Sequence, residues 1–140
     1  ATEPAREQLQ PQRGYQPSDL LGLMQLQIRL EHHATAERTI FDTDLQNIFL
    51  WWQEKFGPAP ALLQRRYVEY CSQKDRIYLL CRPDIPWEYD PLRENPYDRD
   101  RLYAFYRADL AARGLAYEVI EGQGDQRLKV ALAYLQRLGV

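Results

Sequence analysis

Residues 76–102, RIYLLCRPDIPWEYDPLRENPYDRDRL, decide how this chain is read. Ile77 to Cys81 is an apolar run of strand length and reads as a buried strand. It is followed at once by a loop holding Pro83, Pro86, Pro91 and Pro96 with Trp87, Asp90 and Arg93, and then by the charged opening of a helix. A buried strand that empties into a polar, aromatic loop marks the carboxyl end of a strand, where open α/β sheets place their ligands. The prolines stiffen the loop, and Trp87 and Arg93 offer a stacking surface and a bidentate donor that a plain connector does not need. The alternative is a surface loop anchored by its Trp.

Outward from this stretch, helical patterns alternate with short apolar runs. A helix capped by Ser18 runs to about Glu37, with Leu20, Leu21, Leu23, Met24, Ile28 and Leu30 on one broad stripe. Thr39 to Phe41 reads as a short buried strand, and Leu45 to Lys55 as a helix rich in aromatics. Phe-Gly-Pro-Ala-Pro breaks that helix, and another spans about Ala61 to Ser72. After the loop, Arg99 to Arg113 reads as a helix with Leu102, Phe105, Tyr106 and Leu110 inward, ended by Gly114 at its C′ position. Ala116 to Ile120 is a third strand and Arg127 to Leu138 a closing helix. Strands separated by helices predict βαβ units and a parallel sheet covered on both faces.

The composition bounds the function classes. A chain of 140 residues holds one domain with a single core. A formal charge of −2 supplies no basic field for nucleic acid, and no apolar run approaches the ~20 residues of a membrane span, so neither nucleic acid nor membrane is expected as a partner. Cys71 and Cys81 stand in no metal or redox spacing and read as reduced core thiols, in keeping with a cytoplasmic protein.

Asp42 follows directly on Thr39-Ile40-Phe41, the order of a Walker B element. A strand-end Asp can hold a Mg²⁺-bound water or accept a proton from a hydroxyl that attacks ATP. The other reading makes it an N-cap for the helix at Leu45. Asp44, two residues on, either contacts substrate from the same side of the strand end or caps that helix. Trp87 either stacks on a base or pins the loop. Arg99 and Arg101 open the next helix, and one of them is expected to pair with Asp98 or Asp100. The adjacent His32 and His33 point about 100° apart on a helix and read as surface residues. Of Trp51 and Trp52, one is expected in the core and one partly exposed. Gly122-x-Gly124 follows the last strand and is too short for a dinucleotide fingerprint.

The sequence PDIPWEYDPLREN followed by DRDRL resembles the lid segment of the nicotinamide-riboside-kinase-like P-loop proteins, the family of the kinase domain of the bifunctional bacterial NAD regulator and of many relatives labelled AAA-type ATPases. EPAREQL (Glu3 to Leu9), TIFDTDL (Thr39 to Leu45) and GDQRLKVALAYL (Gly124 to Leu135) match in the same order, so the resemblance spans essentially the whole chain. It implies an α/β fold: a three-layer P-loop NTPase-like parallel sheet flanked by helices, with Thr39–Phe41 and Ile77–Cys81 parallel. It implies a lid over residues 83–97 and transfer of the γ-phosphoryl of ATP, with Mg²⁺, to a hydroxyl of a nucleoside-like small molecule. By the same resemblance Arg93 is the lid arginine that neutralises the transferring group, with Arg99 assisting at the nucleotide. Glu3 and Arg6 lie where the acceptor is bound, Asp44 and Trp87 adjoin the substrate, and Asp42 is catalytic and holds Mg²⁺ through water.

The chain departs from that family in two ways. None of its seven Gly is followed by Lys, so the phosphate-binding G-x-x-x-x-G-K-[S/T] is absent. Because the first matched motif starts at Glu3, the first strand, P-loop and first helix are expected to precede residue 1, making 1–140 a partial domain inactive by itself. Where the family sandwiches nicotinamide between aromatic rings, this chain has Thr2, Pro4, Gln25 and Gln27, which leaves only a nucleoside-like acceptor. The alternative function is a non-catalytic nucleotide-binding or protein-interaction α/β domain.

Overall fold

Pro17 sets where the first helix begins. Its fixed φ and missing N–H suit the first helical position, and α1 spans Pro17–His32 with Gln16, not Ser18, as its N-cap. The Gln16 backbone N–H donates to Asp19 Oδ2 at 2.9 Å, which holds the cap. A computed structural model describes residues 16–73, 75–89 and 97–140, and they form two compact units, up to Ser72 and from Gln73 onward.

The first unit is helical. In α1 the inward face is Leu20, Leu23, Met24 and Gln27, an i, i+3, i+4, i+7 set, while Ile28 and Leu30 of the expected stripe are exposed. Gln27 is buried but satisfied: its amide donates to Glu31 Oε1 at 2.7 Å, and the Tyr70 hydroxyl donates to the same oxygen at 2.7 Å. α2 (Leu45–Phe56) packs on α1, and α3 (Ala61–Cys71) packs on α2. Gly57, at φ 82°, ends α2, and Pro58 and Pro60 keep the chain from continuing it. The core closes where Phe49 stacks on Tyr67 with ring centroids 4.3 Å apart and planes 27° apart. Trp52 is buried and Trp51 half-buried, the expected division.

The strand expected at Thr39–Phe41 does not form: these residues carry no strand pairing, and Ile40 is 89 % exposed. Three apolar residues are a weak signal, because a strand is stabilised by a partner that fills its backbone donors and acceptors. α1 also stops at His32, five residues short of the expected Glu37.

The second unit is a βαβ arrangement followed by a helix: β1 (Tyr78–Cys81), α4 (Arg99–Ala112), β2 (Tyr117–Ile120) and α5 (Asp125–Arg137). β1 and β2 pair in parallel, Tyr78 opposite Tyr117 and Cys81 opposite Ile120. A parallel pair cannot be joined by a tight turn, and the crossover runs through α4. The pairing extends one residue further at each end, where Tyr78 N–H donates to Ala116 O and Arg82 N–H to Ile120 O, both at 2.9 Å. The Gly114 stop is a Schellman motif: Leu115 N–H donates to Leu110 O and Gly114 N–H to Ala111 O, with Gly114 at φ 64°.

α5 packs on β2, and Leu110, Ile120 and Tyr134 are the buried apolar side chains of this unit among its described residues. That core is small, and β1 is correspondingly half-buried rather than buried on both faces: Tyr78 and Leu80 are sheltered, Leu79 and Cys81 exposed. Cys81 is therefore no core thiol, and Cys71 is only half-buried; neither is in a disulfide. Among the described residues the sheet has two strands, a mixed helical and parallel-strand arrangement compatible with an α/β fold. No helix of the described residues is long and apolar enough to cross a membrane.

Candidate functional site

The carboxyl ends of β1 and β2 lie side by side and open onto two connections, the loop that starts at Arg82 and the turn from Glu121 to Gly124 that leads into α5. This is the position at which parallel sheets gather ligand-binding groups. The turn needs its glycines. Gly122 has φ 97° and Gly124 has φ 53°, and a Cβ on Gly122 would stand 2.8 Å from Gln126 Oε1.

Two ion pairs bridge the connections. Arg82 Nη1 donates to Glu121 Oε2 at 2.8 Å across an open surface, both side chains being more than half exposed. Asp84 and Arg127 pair in a more sheltered position, with side-chain exposures of 28 % and 15 %. The second carboxylate oxygen of Asp84 accepts the Gly122 backbone N–H at 2.6 Å. The guanidinium of Arg127 donates also to the Arg82 carbonyl at 3.3 Å and to the Gly122 carbonyl at 3.4 Å. The Gly122 N–H, and after it Arg127, hold the Asp84 carboxyl below its ordinary pKa. Beside this cluster lies a shallow depression of about 480 Å³ lined by Asp84, Glu121, Gly122, Gln126, Lys129 and Val130. Among the described residues, Lys129 is the cationic side chain that lines the depression.

Of the expected site residues that the structure describes, Trp87 and Arg99 belong to this second unit, with Arg101 beside them. Arg99 Nη1 donates to the Ile85 carbonyl at 2.8 Å and so fastens the start of the loop to the first turn of α4. Arg101 pairs with Asp98 at 2.6 Å, the surface pairing expected for one of the two arginines, and lowers the Asp98 pKa. Trp87 is half-buried and meets Tyr89 edge to face at 6.1 Å. Asp42 and Asp44 belong to the first unit. Asp42 is exposed, accepts the Thr43 hydroxyl at 3.0 Å and lies in a bend, not at the end of a strand. Asp44 is the N-cap of α2: its Oδ1 accepts the N–H groups of Gln46 at 2.9 Å and Asn47 at 3.4 Å, and Asn47 Oδ1 accepts the Asp44 N–H at 3.2 Å. Glu3, Arg6 and Arg93, with Asp90 and the rest of residues 90–96 of the expected lid, lie outside the described residues.

Asp84 and Arg127 are given no role by any motif in the sequence, and Gly122 stands there only in a Gly-x-Gly too short for a dinucleotide fingerprint. A carboxylate three residues past the end of a strand and an Arg in the first turn after a Gly-x-Gly turn are each weak signals. Their meaning lies in a contact spanning 43 residues of chain. Among the described residues no three His, Cys, Asp or Glu side chains gather as a metal cage. Asp42 belongs to no such group, and toward Mg²⁺ it fits only a water-mediated contact.

Residues 2–127 match the family described as AAA domain. No curated protein and no solved structure matches the chain.

Proposed function

The chain belongs to the AAA domain family, of P-loop NTPase type and generally binding nucleotide with Mg²⁺, and we propose that it serves an ATP-dependent small-molecule kinase activity. The observation that carries this reading is the loop leaving β1 at the carboxyl end of a parallel βαβ unit, fastened there by Arg99 and Asp84. When bound, ATP with Mg²⁺ supplies the γ-phosphoryl group, and the acceptor is a hydroxyl of a nucleoside-like small molecule. Asp42, exposed on its bend, takes the acceptor proton or orders a metal-bound water. Asp44 fixes the start of α2 and with it the backbone that presents Asp42. Arg93 neutralises the transferring group from the 83–97 loop, Arg99 and Trp87 shape the base of that loop, and Glu3 and Arg6 meet the acceptor. Cys71 and Cys81, which form no disulfide, fit a reducing, cytoplasmic setting.

A second reading, a non-catalytic nucleotide-binding or protein-interaction domain, is favoured by one observation: no Gly-Lys pair occurs in the sequence, so these residues include no phosphate-cradling loop. Incubating the full-length gene product with γ-labelled ATP, Mg²⁺ and a panel of nucleosides separates the two. The kinase reading expects label on a nucleoside and a loss of about 10²-fold or more in kcat for Asp42→Asn. Labelled phosphate without a labelled acceptor would reduce the activity to ATP hydrolysis. No turnover with any nucleoside would favour the second reading.

A further inference from the structure

We propose that Asp84 is a positioning residue whose carboxylate latches the first residues of the loop after β1 onto the turn between β2 and α5, so that loop base and turn move as one piece. The contact differs from an ordinary surface ion pair. Exposed pairs contribute little because water screens them and two long side chains must be ordered. Here one short carboxylate takes two partners of different kinds, a backbone N–H at Gly122 and the Arg127 guanidinium. Arg127 in turn also holds the carbonyls of Arg82 and Gly122, one from each connection. Charge-assisted hydrogen bonds of this type are about twice as strong as neutral ones. On its other side the loop base is held at Ile85 by Arg99.

The latch also bears on the depression. Asp84 and Gly122 line it together with Glu121, Gln126 and Lys129, so releasing the carboxylate reshapes one wall and leaves the Arg127 charge uncompensated. Occupation of the depression and the position of the loop base are therefore coupled. That this coupling serves nucleotide turnover rests on the kinase reading; the latch itself does not.

Amide hydrogen exchange of the full chain, read by NMR without nucleotide, tests it. The Gly122 amide is expected to be protected in the parent and to exchange about tenfold faster or more in Asp84→Ala and in Arg127→Gln. Asp84→Asn, which keeps an acceptor oxygen but no charge, should fall between. The Arg82 amide, bonded to Ile120 in the sheet, should keep its protection in every variant. Unchanged Gly122 exchange in Asp84→Asn and Arg127→Gln overturns the proposal even if Asp84→Ala does not fold. So does an equal loss of protection at Arg82 and Gly122, which would mean that the carboxylate merely stabilises the unit. Because no nucleotide is present, either result is independent of the kinase reading.

Discussion

Removing the Asp44 side chain tests how the start of α2 is built. In Asp44→Ala the N–H groups of Gln46 and Asn47 lose their side-chain acceptor, while the Asn47 amide still reaches back to the residue 44 N–H. Loss of an N-cap acceptor costs about 1 kcal/mol, with a range of about 0.5–2. With a urea m-value of about 2 kcal/mol/M, the midpoint should fall by about 0.5 M. The readout is local, because Trp51 and Trp52 lie on α2 itself. A Trp87→Phe background removes the remaining indole, so fluorescence then follows this helix alone. Asp44→Asn is the control: Asn caps as well as Asp, so its midpoint should stay within about 0.2 M of the parent. Asn47→Ala should destabilise less than Asp44→Ala, and the double variant should cost less than the sum, because the two side chains form one reciprocal cap. Equal midpoints for Asp44→Ala and the parent would refute the assignment of Asp44 as a cap.

Leu63, fully buried on α3, should cost about 2–5 kcal/mol when replaced by Ala, seen as a lower denaturation midpoint at unchanged m-value. Gly122→Ala meets both an unfavourable φ of 97° and Gln126, and a cost of about 1–3 kcal/mol is expected in denaturant titration. Adding Gln126→Ala should relieve only the steric part. The Asp84 carboxyl sits below its ordinary pKa of 3.8 because of the Gly122 N–H first and Arg127 after it. A depressed folded-state pKa stabilises fully above the ordinary value and is lost as pH falls through the folded one. Stability measured against pH should therefore show an acid limb below about pH 4 that is shallower in Asp84→Asn than in the parent, and a difference between the two that stays constant between pH 5 and 8.

Helices were the legible part of this chain. The Leu45, Ala61, Arg99 and Arg127 patterns each became a helix within about two residues, because a 3.6-residue apolar period and the Gly and Pro stops are local signals. Gly114 could be placed at C′ for the same reason: the Schellman motif needs only neighbouring residues. The Ser18 cap was misread because Pro17 outranks it, fixing the first helical residue one position earlier. Thr39–Phe41 resembled a strand in composition, but nothing in three residues specifies the partner a strand needs. β1 was read as fully buried from its apolar run, whereas its neighbours cover one face and leave Leu79 and Cys81 exposed. Around the candidate site, β1 and the loop that leaves it were legible as an apolar run followed by a Pro-rich polar stretch. The Asp84–Gly122–Arg127 cluster was not, because it joins residues 38 and 43 positions apart that meet only once β1 and β2 have paired.

Nucleotide is proposed to bind at the carboxyl ends of β1 and β2. Hydrogen exchange of the full-length gene product, with and without saturating ATP and Mg²⁺, addresses it most directly. Slowed exchange is expected in the stretches covering residues 82–87 and 121–127, with β1 and β2 themselves unchanged. Protection confined to residues 17–72, or none anywhere, would contradict it.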